Sequence, residues 1–267
     1  MKNRVSQNHM QLSVIIPTYR DDAALSRLLT QLRGHDIYEI IVVDGEDRWT
    51  MPAHFSGHEK LVWKTAPHGR GRQIARGLAC AKGDNFWVLH ADSDIHENSL
   101  VEISNILKDG SFSLGMFRLS FNRQRWVYRL FEFFTRFDTA LTSFGDQGFF
   151  FRREDLNIVW PVLHPMLAQA PILEDVILRR QLKSLGRVKK SRLKIGTSPN
   201  RFERRGLWRT QCLNAVILFR ARMGTPAVQL YHSYYAPPIR SLLKEKTRLK
   251  LSKQHSTVSI ETTVETS

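Results

Sequence analysis

The stretch Phe86-Trp87-Val88-Leu89-His90-Ala91-Asp92-Ser93-Asp94 begins as an apolar run and ends in two carboxylates one residue apart. A short apolar run bounded by polar residues predicts a buried strand. Its carboxylates then stand at the carboxyl end, where open α/β sheets bind ligands. In extended chain, acids at i and i+2 point the same way. A hard divalent cation takes such oxygens together with phosphate oxygens. The plainer alternative is a strand followed by a solvated helix cap, so the flanking chain has to decide.

Upstream, Leu12-Ser13-Val14-Ile15-Ile16-Pro17-Thr18-Tyr19 reads as a buried strand closed by Pro17. Asp21 or Asp22 caps a helix with Leu25, Leu28, Leu29 and Leu32 on one face and Gly34 as its stop. Glu39 to Gly45 is a second buried strand, again ending in an acid, Asp44. Strand, helix and strand make a βαβ unit on a parallel sheet, and the near-continuous hydrophobicity of both strands fits a sheet covered on both faces. Leu61 to Lys64 is a weaker third strand. His68-Gly69-Arg70-Gly71-Arg72-Gln73 then leads into a short helix with Ile74, Leu78 and Ala79 inward. Its glycines allow close backbone approach, and its arginines stand where a phosphate docks at a helix N-terminus. A flexible basic loop is the bland alternative.

Downstream, a helix is predicted from about Glu97 to Lys108, with Leu100, Ile103 and Leu107 inward. Phe112 to Phe121 alternates as a strand whose apolar phase slips at Met116-Phe117, which predicts a bulge. Arg123 to Asp138 reads as a helix with an aromatic stripe, Trp126, Leu130, Phe133, Phe134 and Phe137, beside several arginines. Such a stripe is usually core; the alternative is an anionic membrane surface. Phe144 to Arg152 is a polar turn entering an aromatic strand, and Pro171 to Gly186 is a helix with Glu174 and Asp175 in its first turn. Acids there compensate a helix dipole in the ordinary case; a base held at a fixed helix end is the functional reading. Thr197 to Arg209 is a basic loop, followed by amphipathic helices at Leu207–Met223 and Ile239–Lys253.

The 267 residues are enough for one large domain with appendages, and 42% apolar and 10% aromatic residues suit a sizeable core. Forty basic against 25 acidic residues leave a net charge of +15, which implies an anionic partner: nucleic acid, acidic lipid or a phosphorylated substrate. Cys80 and Cys212 form no metal or redox spacing and fit a reducing compartment. The first eleven residues lack the apolar core of a signal peptide. No run reaches the about 18 apolar residues of a membrane span. The tail from about Gln254 is expected to be disordered.

Several of these segments together resemble family 2 glycosyltransferases of the GT-A fold. Within that family the chain is most similar to the subgroup called "transferase 2, rSAM/selenodomain-associated". The resemblance is carried by Ser13 to Thr18, Ile41 to Gly45, Gly69 to Gln73, Leu89 to Asp94, Gly145 to Gly148, Leu173 to Val176, Thr197-Ser198 and Arg204 to Gly206, in order, from about Leu12 to Tyr231. It implies a mixed, mostly parallel sheet flanked by helices over residues 12–206, after a flexible N-terminus at 1–11. Basic helices would follow at 207–253 and a disordered tail at 254–267.

The resemblance also implies roles. Pro17, Thr18 and Asp44 would line the donor site, with Asp44 on the base or ribose; Arg72 and Arg201 would approach the donor phosphates. Asp92 and Asp94 would form the acidic metal motif, with Asp94 the direct ligand of Mg²⁺ or Mn²⁺. Asp146, Gln147 and Glu174 would lie on the acceptor side, and Asp175 would be the base for the acceptor hydroxyl in an inverting displacement. The chain departs from relatives at Glu46-Asp47-Arg48-Trp49, where Gly-Ser-x-Asp is common, so details of base binding differ. Ser198 and Phe202 stand where the wider family carries Gln and Trp, which argues for a single-transfer enzyme over a polymerising synthase.

The expected protein is therefore a metal-dependent transferase taking a nucleotide-diphosphate sugar and a hydroxyl acceptor that is lipid-linked or membrane-associated, at the cytoplasmic face of the cell membrane. The competing readings are a nucleotidyltransferase on a similar sheet, which would need no base at Asp175, and a nucleic-acid binder. No DNA-binding motif accompanies the charge, so no nucleic-acid partner is expected.

Overall fold

The structure, a computed structural model, describes residues 10–121, 126–139, 142–143, 145–197, 207–225 and 229–231. The expected helix at Ile239–Lys253, the tail from Gln254, most of the basic loop after Thr197 and most of the N-terminal segment lie outside the described residues.

Seven strands form one sheet in the order β3-β2-β1-β4-β6-β5-β7. They are β1 (Leu12–Thr18), β2 (Glu39–Asp44), β3 (Leu61–Thr65), β4 (Asn85–Val88), β5 (Phe112–Phe121), β6 (Phe149–Arg152) and β7 (Arg187–Thr197). Only β6 runs against its neighbours β4 and β5; the other pairings are parallel. The chain moves outward from β1 to β2 and β3, then returns to lay β4 on the other side of β1. That reversal opens a crevice at the carboxyl ends of β1 and β4, the switch point at which such sheets bind ligands.

Both faces of the sheet are covered, as the continuous hydrophobicity of its strands requires. Alternate residues feed two cores. Val14, Ile16, Val42 and Trp87 join the side covered by α1 (Asp22–Leu32), α3 (Ser99–Leu107) and α4 (Trp126–Phe134). Ile15, Ile41, Val43, Phe86 and Val88 join the side of α2 (Arg70–Cys80), α5 (Arg153–Gln169) and α6 (Glu174–Lys183). The phase slip in β5 is present. Leu114 and Met116 face the second core and Phe117, Leu119 and Phe121 the first, with the β5–β7 register shifting between Met116 and Arg118.

Four expectations need correction. Helix α5 was not anticipated, because Pro161 and Pro165 interrupt its pattern and proline normally ends a helix. Strand β7 was hidden by its lysines and arginines, which an edge strand carries on its open side. In α2 it is Ala75 that is buried, while Ala79 faces solvent. The aromatic stripe of α4 does not enter the core: the helix is fastened through Tyr128, packed 5.0 Å from Phe121, and through Glu132 and Thr135, which accept from Phe121 N and Leu119 N. A last helix, α7 (Leu207–Arg222), packs through Ile217 against Ile172 and Leu230.

Helices α2 and α5 approach so closely that a side chain at Gly71 would put its Cβ 2.1 Å from Ala170 O and 2.8 Å from Leu167 O. Backbone atoms cannot yield as a flexible side chain can. Gly71→Ala is therefore expected to lower the unfolding free energy by about 1–3 kcal/mol or more, read by denaturant titration; a parent-like midpoint would contradict the contact.

Candidate active site

At the carboxyl ends of the strands, the buried Gln73 amide ties two of them together. Its Nε2 donates to Thr18 O at 2.6 Å and Val43 O at 2.8 Å. Pro17 and Thr18 are buried at the end of β1, and Thr18 Oγ1 has no hydrogen-bond partner among the described residues.

Beyond β4 the chain does not stay extended. Ala91 and Asp92 form a turn closed by Ser93 N donating to His90 O. The expectation that Asp92 and Asp94 share one side of a strand is thereby corrected: the strand ends at Val88, and alternation ends with it. Asp94 is exposed, bridges Gly196 of β7 through its backbone, and accepts from Gln31 Nε2 at 2.7 Å. Asp92 is half-buried on the other side of that turn. Burial, reinforced by the charge of Asp146 and opposed by His90, raises its carboxyl above the usual range.

A dense ionic cluster sits beside Asp92. The imidazole of His90 pairs through Nδ1 with Asp146. Arg70, the first residue of α2, reaches His90 at 3.3–3.4 Å, and its Nε lies 3.1 Å from the buried Glu174. Burial opposes a charge on His90, but Asp146, with Asp92 behind it, outweighs burial and the repulsion of Arg70 and lifts the imidazole above its ordinary value. Asp175 accepts from Gly145 N at 3.1 Å and from its own helix at Val176 N, 2.8 Å. Burial and then the neighbouring Glu174 push its carboxyl up to about 6, against the pull of Arg70 and the two backbone donors. Two backbone features fix this geometry. Leu173, which precedes the pair of acids, is left-handed at φ 67°, an unusual conformation for a branched residue. Gly145 leaves room between His90 and Asp175, since a Cβ there would lie 3.0 Å from His90 Nε2 and 3.4 Å from Asp175 Cβ.

The structure thus brings Asp92, Asp146, Glu174 and Asp175 together. Other expected residues have partners of their own. Asp44 is fully buried, its two oxygens engaged by the guanidinium of Arg48 at 2.8 and 3.2 Å and by the backbone N–H groups of Glu46 and Arg48. The same guanidinium forks onto Asp22 at 2.8 and 2.9 Å. Arg72 donates to the carbonyls of Ala168 and His68, the first of them in the last turn of α5. Gln147 is buried and faces away from solvent, holding Thr142 O and accepting from Lys190 Nζ at 2.7 Å. Arg201 lies outside the described residues. Arg70 was expected on a phosphate and instead pairs with Glu174, while His90 was given no role; its one sequence signal is its place two residues before Asp92.

Among the described residues no three acidic, histidine or cysteine side chains converge as a ready metal cage. The donor set nevertheless fits a hard cation. Asp92 is an under-compensated carboxyl beside a second acid, and Mg²⁺-type sites commonly combine one or two carboxylates with substrate phosphates.

A mixed sheet with acids gathered at its switch point is an architecture for binding a ligand at the carboxyl ends of its strands, and comparison with known proteins gives the class. The family model "Glycosyl transferase family 2" matches residues 13–168, more than half of the chain, and the protein belongs to that family. The chain is 33% identical over 111 residues to a dolichol-phosphate mannosyltransferase of Pyrococcus furiosus; the match covers 38% of this chain and 31% of that protein's length. Among solved structures it resembles the mannosyltransferase PcManGT of Pyrobaculum calidifontis, in complex with GDP-Man and Mn²⁺. The TM-score is 0.59 at 16% identity, covering 94% of this chain and 83% of that one. Mannosyl-3-phosphoglycerate synthase of Rubrobacter xylanophilus gives 0.52 at 16% identity, covering 80% and 75%. S. aureus TarS, residues 1–349, gives 0.56 at 13% identity, covering 85% and 73%. At these identities the likeness carries the fold, which is GT-A.

The raised carboxyl of Asp175 has a consequence for stability. Between about pH 4 and 6 the folded protein holds a proton that the unfolded chain has released, so this group's contribution falls as pH rises through that window. Asp175→Asn is therefore expected to equal or exceed the parent in thermal midpoint above pH 6, with the gap closing toward pH 4. A variant destabilised at every pH would show that the carboxylate supports the fold.

Proposed function

We propose that this protein transfers a sugar from a nucleotide-diphosphate donor to a hydroxyl acceptor by direct, inverting displacement. The observation that carries the reading is Asp175: a carboxyl held by two backbone N–H groups at a helix start, beside the crevice, and pushed up to about 6. A base poised near the working pH removes a hydroxyl proton most effectively. As the acceptor oxygen attacks the anomeric carbon, its proton passes to Asp175. The bond from that carbon to the diphosphate oxygen breaks, and the nucleoside diphosphate leaves with the electron pair.

Asp92 would hold Mg²⁺ or Mn²⁺ together with the diphosphate, and the bound cation would stabilise the negative charge of the leaving group. Arg70 and His90 pair with the acids beside Asp175, so that Asp175 is able to ionise. The mannosyltransferase names among the relatives make a mannose donor the first to try, and the dolichol-phosphate relative makes a lipid-linked acceptor, met at the cytoplasmic membrane face, the corresponding choice. No described helix is long and apolar enough to cross a membrane.

Asp175→Asn keeps the shape and removes the proton acceptor. The expected result is a fall in kcat of roughly 10²–10⁴-fold with donor affinity retained, and in the parent an acidic limb of the pH–rate profile near 6. Loss of donor binding in a folded variant, or a rate independent of pH through that range, would assign Asp175 another role.

A further inference from the structure

Helix α4 carries two different faces. Tyr128, Glu132 and Thr135 fasten it to β5. At about 100° per residue, Trp126, Leu130, Phe133, Phe134 and Phe137 fall on the opposite side, and all five are between 44% and 74% exposed. The rings form a continuous patch: Phe133 lies 5.7 Å from Phe134 and 5.8 Å from Phe137, centre to centre. Scattered apolar residues on a surface need no explanation, but a contiguous aromatic patch marks a contact.

The surroundings say what that contact is. Arg129 and Arg136 are exposed along one margin of the patch, and Arg136 lies 4.0 Å over the Phe133 ring. Lys194 Nζ reaches Glu132 at 2.8 Å, which ties the fastened face of the helix to edge strand β7 and holds the patch outward. Along that edge Arg187, Lys189, Arg192 and Lys194 are all exposed. A protein partner for so apolar a patch needs no arginines along its margin, whereas an anionic lipid surface rewards both features. Rings enter the boundary of headgroups and acyl chains, and basic groups near the surface meet its negative potential.

The patch is also coupled to the active site. Asp138, just beyond α4, receives Arg179 Nη2 at 2.6 Å and Lys183 Nζ at 2.7 Å from α6, the helix whose first turn holds Asp175. Gln147, next to Asp146, donates to Thr142 O in the segment that follows. We propose that the outer face of α4, with Arg129 and Arg136 at its margin, docks the protein on an anionic phospholipid bilayer, at a fixed disposition to Asp175. The docking surface stands on exposure and charge; only its purpose, presenting a lipid-linked acceptor hydroxyl to Asp175, rests on the function proposed above.

The test is co-sedimentation of the full chain with vesicles of phosphatidylcholine alone or mixed with phosphatidylglycerol, without donor or acceptor. The parent is expected to sediment with the mixed vesicles only, and less as salt rises. Phe133→Ser with Phe134→Ser removes exposed rings and should weaken binding by about tenfold per ring, with thermal midpoint and nucleotide-sugar binding unchanged. Three results overturn the proposal. The parent stays in the supernatant with both lipids; or the double variant binds as the parent does, as it would if the lysines beyond residue 237 were the anchor; or light scattering shows that the patch joins two copies and the vesicles capture nothing. Because the vesicles carry no acceptor, a protein that docks yet turns over no nucleotide-sugar fails the functional reading alone.

Discussion

Four carboxyl groups, those of Asp92, Asp146, Glu174 and Asp175, gather where β4 ends, and two basic side chains, Arg70 and His90, make that gathering tolerable. Buried acids without partners cost several kcal/mol each or stay protonated. Here Glu174 is paired with Arg70 and Asp146 with His90, while Asp175 has backbone donors only. The compensation is therefore uneven, and it falls short at Asp92 and at Asp175, the group that would have to take a proton. The fold serves this arrangement. The α2–α5 contact places Arg70, the left-handed Leu173 aims the acids of α6, and Gly145 lets the β6 approach turn close over His90.

The frame around that cluster was legible in the sequence, and the cluster was only partly so. Apolar strands ending in acids disclosed the parallel half of the sheet, because a buried strand leaves a periodic trace. Helix α5 and strand β7 left none: two prolines disguised the first, and an edge strand needs only one apolar face, so lysines disguised the second. The motif residues Asp146, Glu174 and Asp175 do converge, but their partners are tertiary facts. Nothing in the spacing of Arg70, His90 and Asp146 foretells that residues 20 and 56 positions apart meet. The i, i+2 argument for Asp92 and Asp94 failed for a local reason, since the strand stops at Val88 and a turn intervenes.

The departure at Glu46-Asp47-Arg48-Trp49 has a physical counterpart. Arg48 forks between Asp22 and Asp44, lies 5.4 Å over the Trp63 ring, and satisfies the acid at the end of β2 from within the protein. The four hydrogen bonds to Asp44 make it a fixed part of the crevice wall, and the exposed edge of this network belongs to Arg48 and Asp22. The same economy governs Arg72, whose guanidinium serves the Ala168 carbonyl at the end of α5, where a helix leaves its last carbonyls unsatisfied.

The central claim is that this crevice cleaves a nucleotide-sugar at the bond between the anomeric carbon and the diphosphate, with the sugar passing to a hydroxyl. Phosphorus NMR of the purified protein with GDP- and UDP-sugars, a divalent cation and an alcohol acceptor reads that bond directly. The account predicts nucleoside diphosphate as the phosphorus product, formed in step with glycoside. Pyrophosphate in its place, as a nucleotidyltransferase would release, would contradict it.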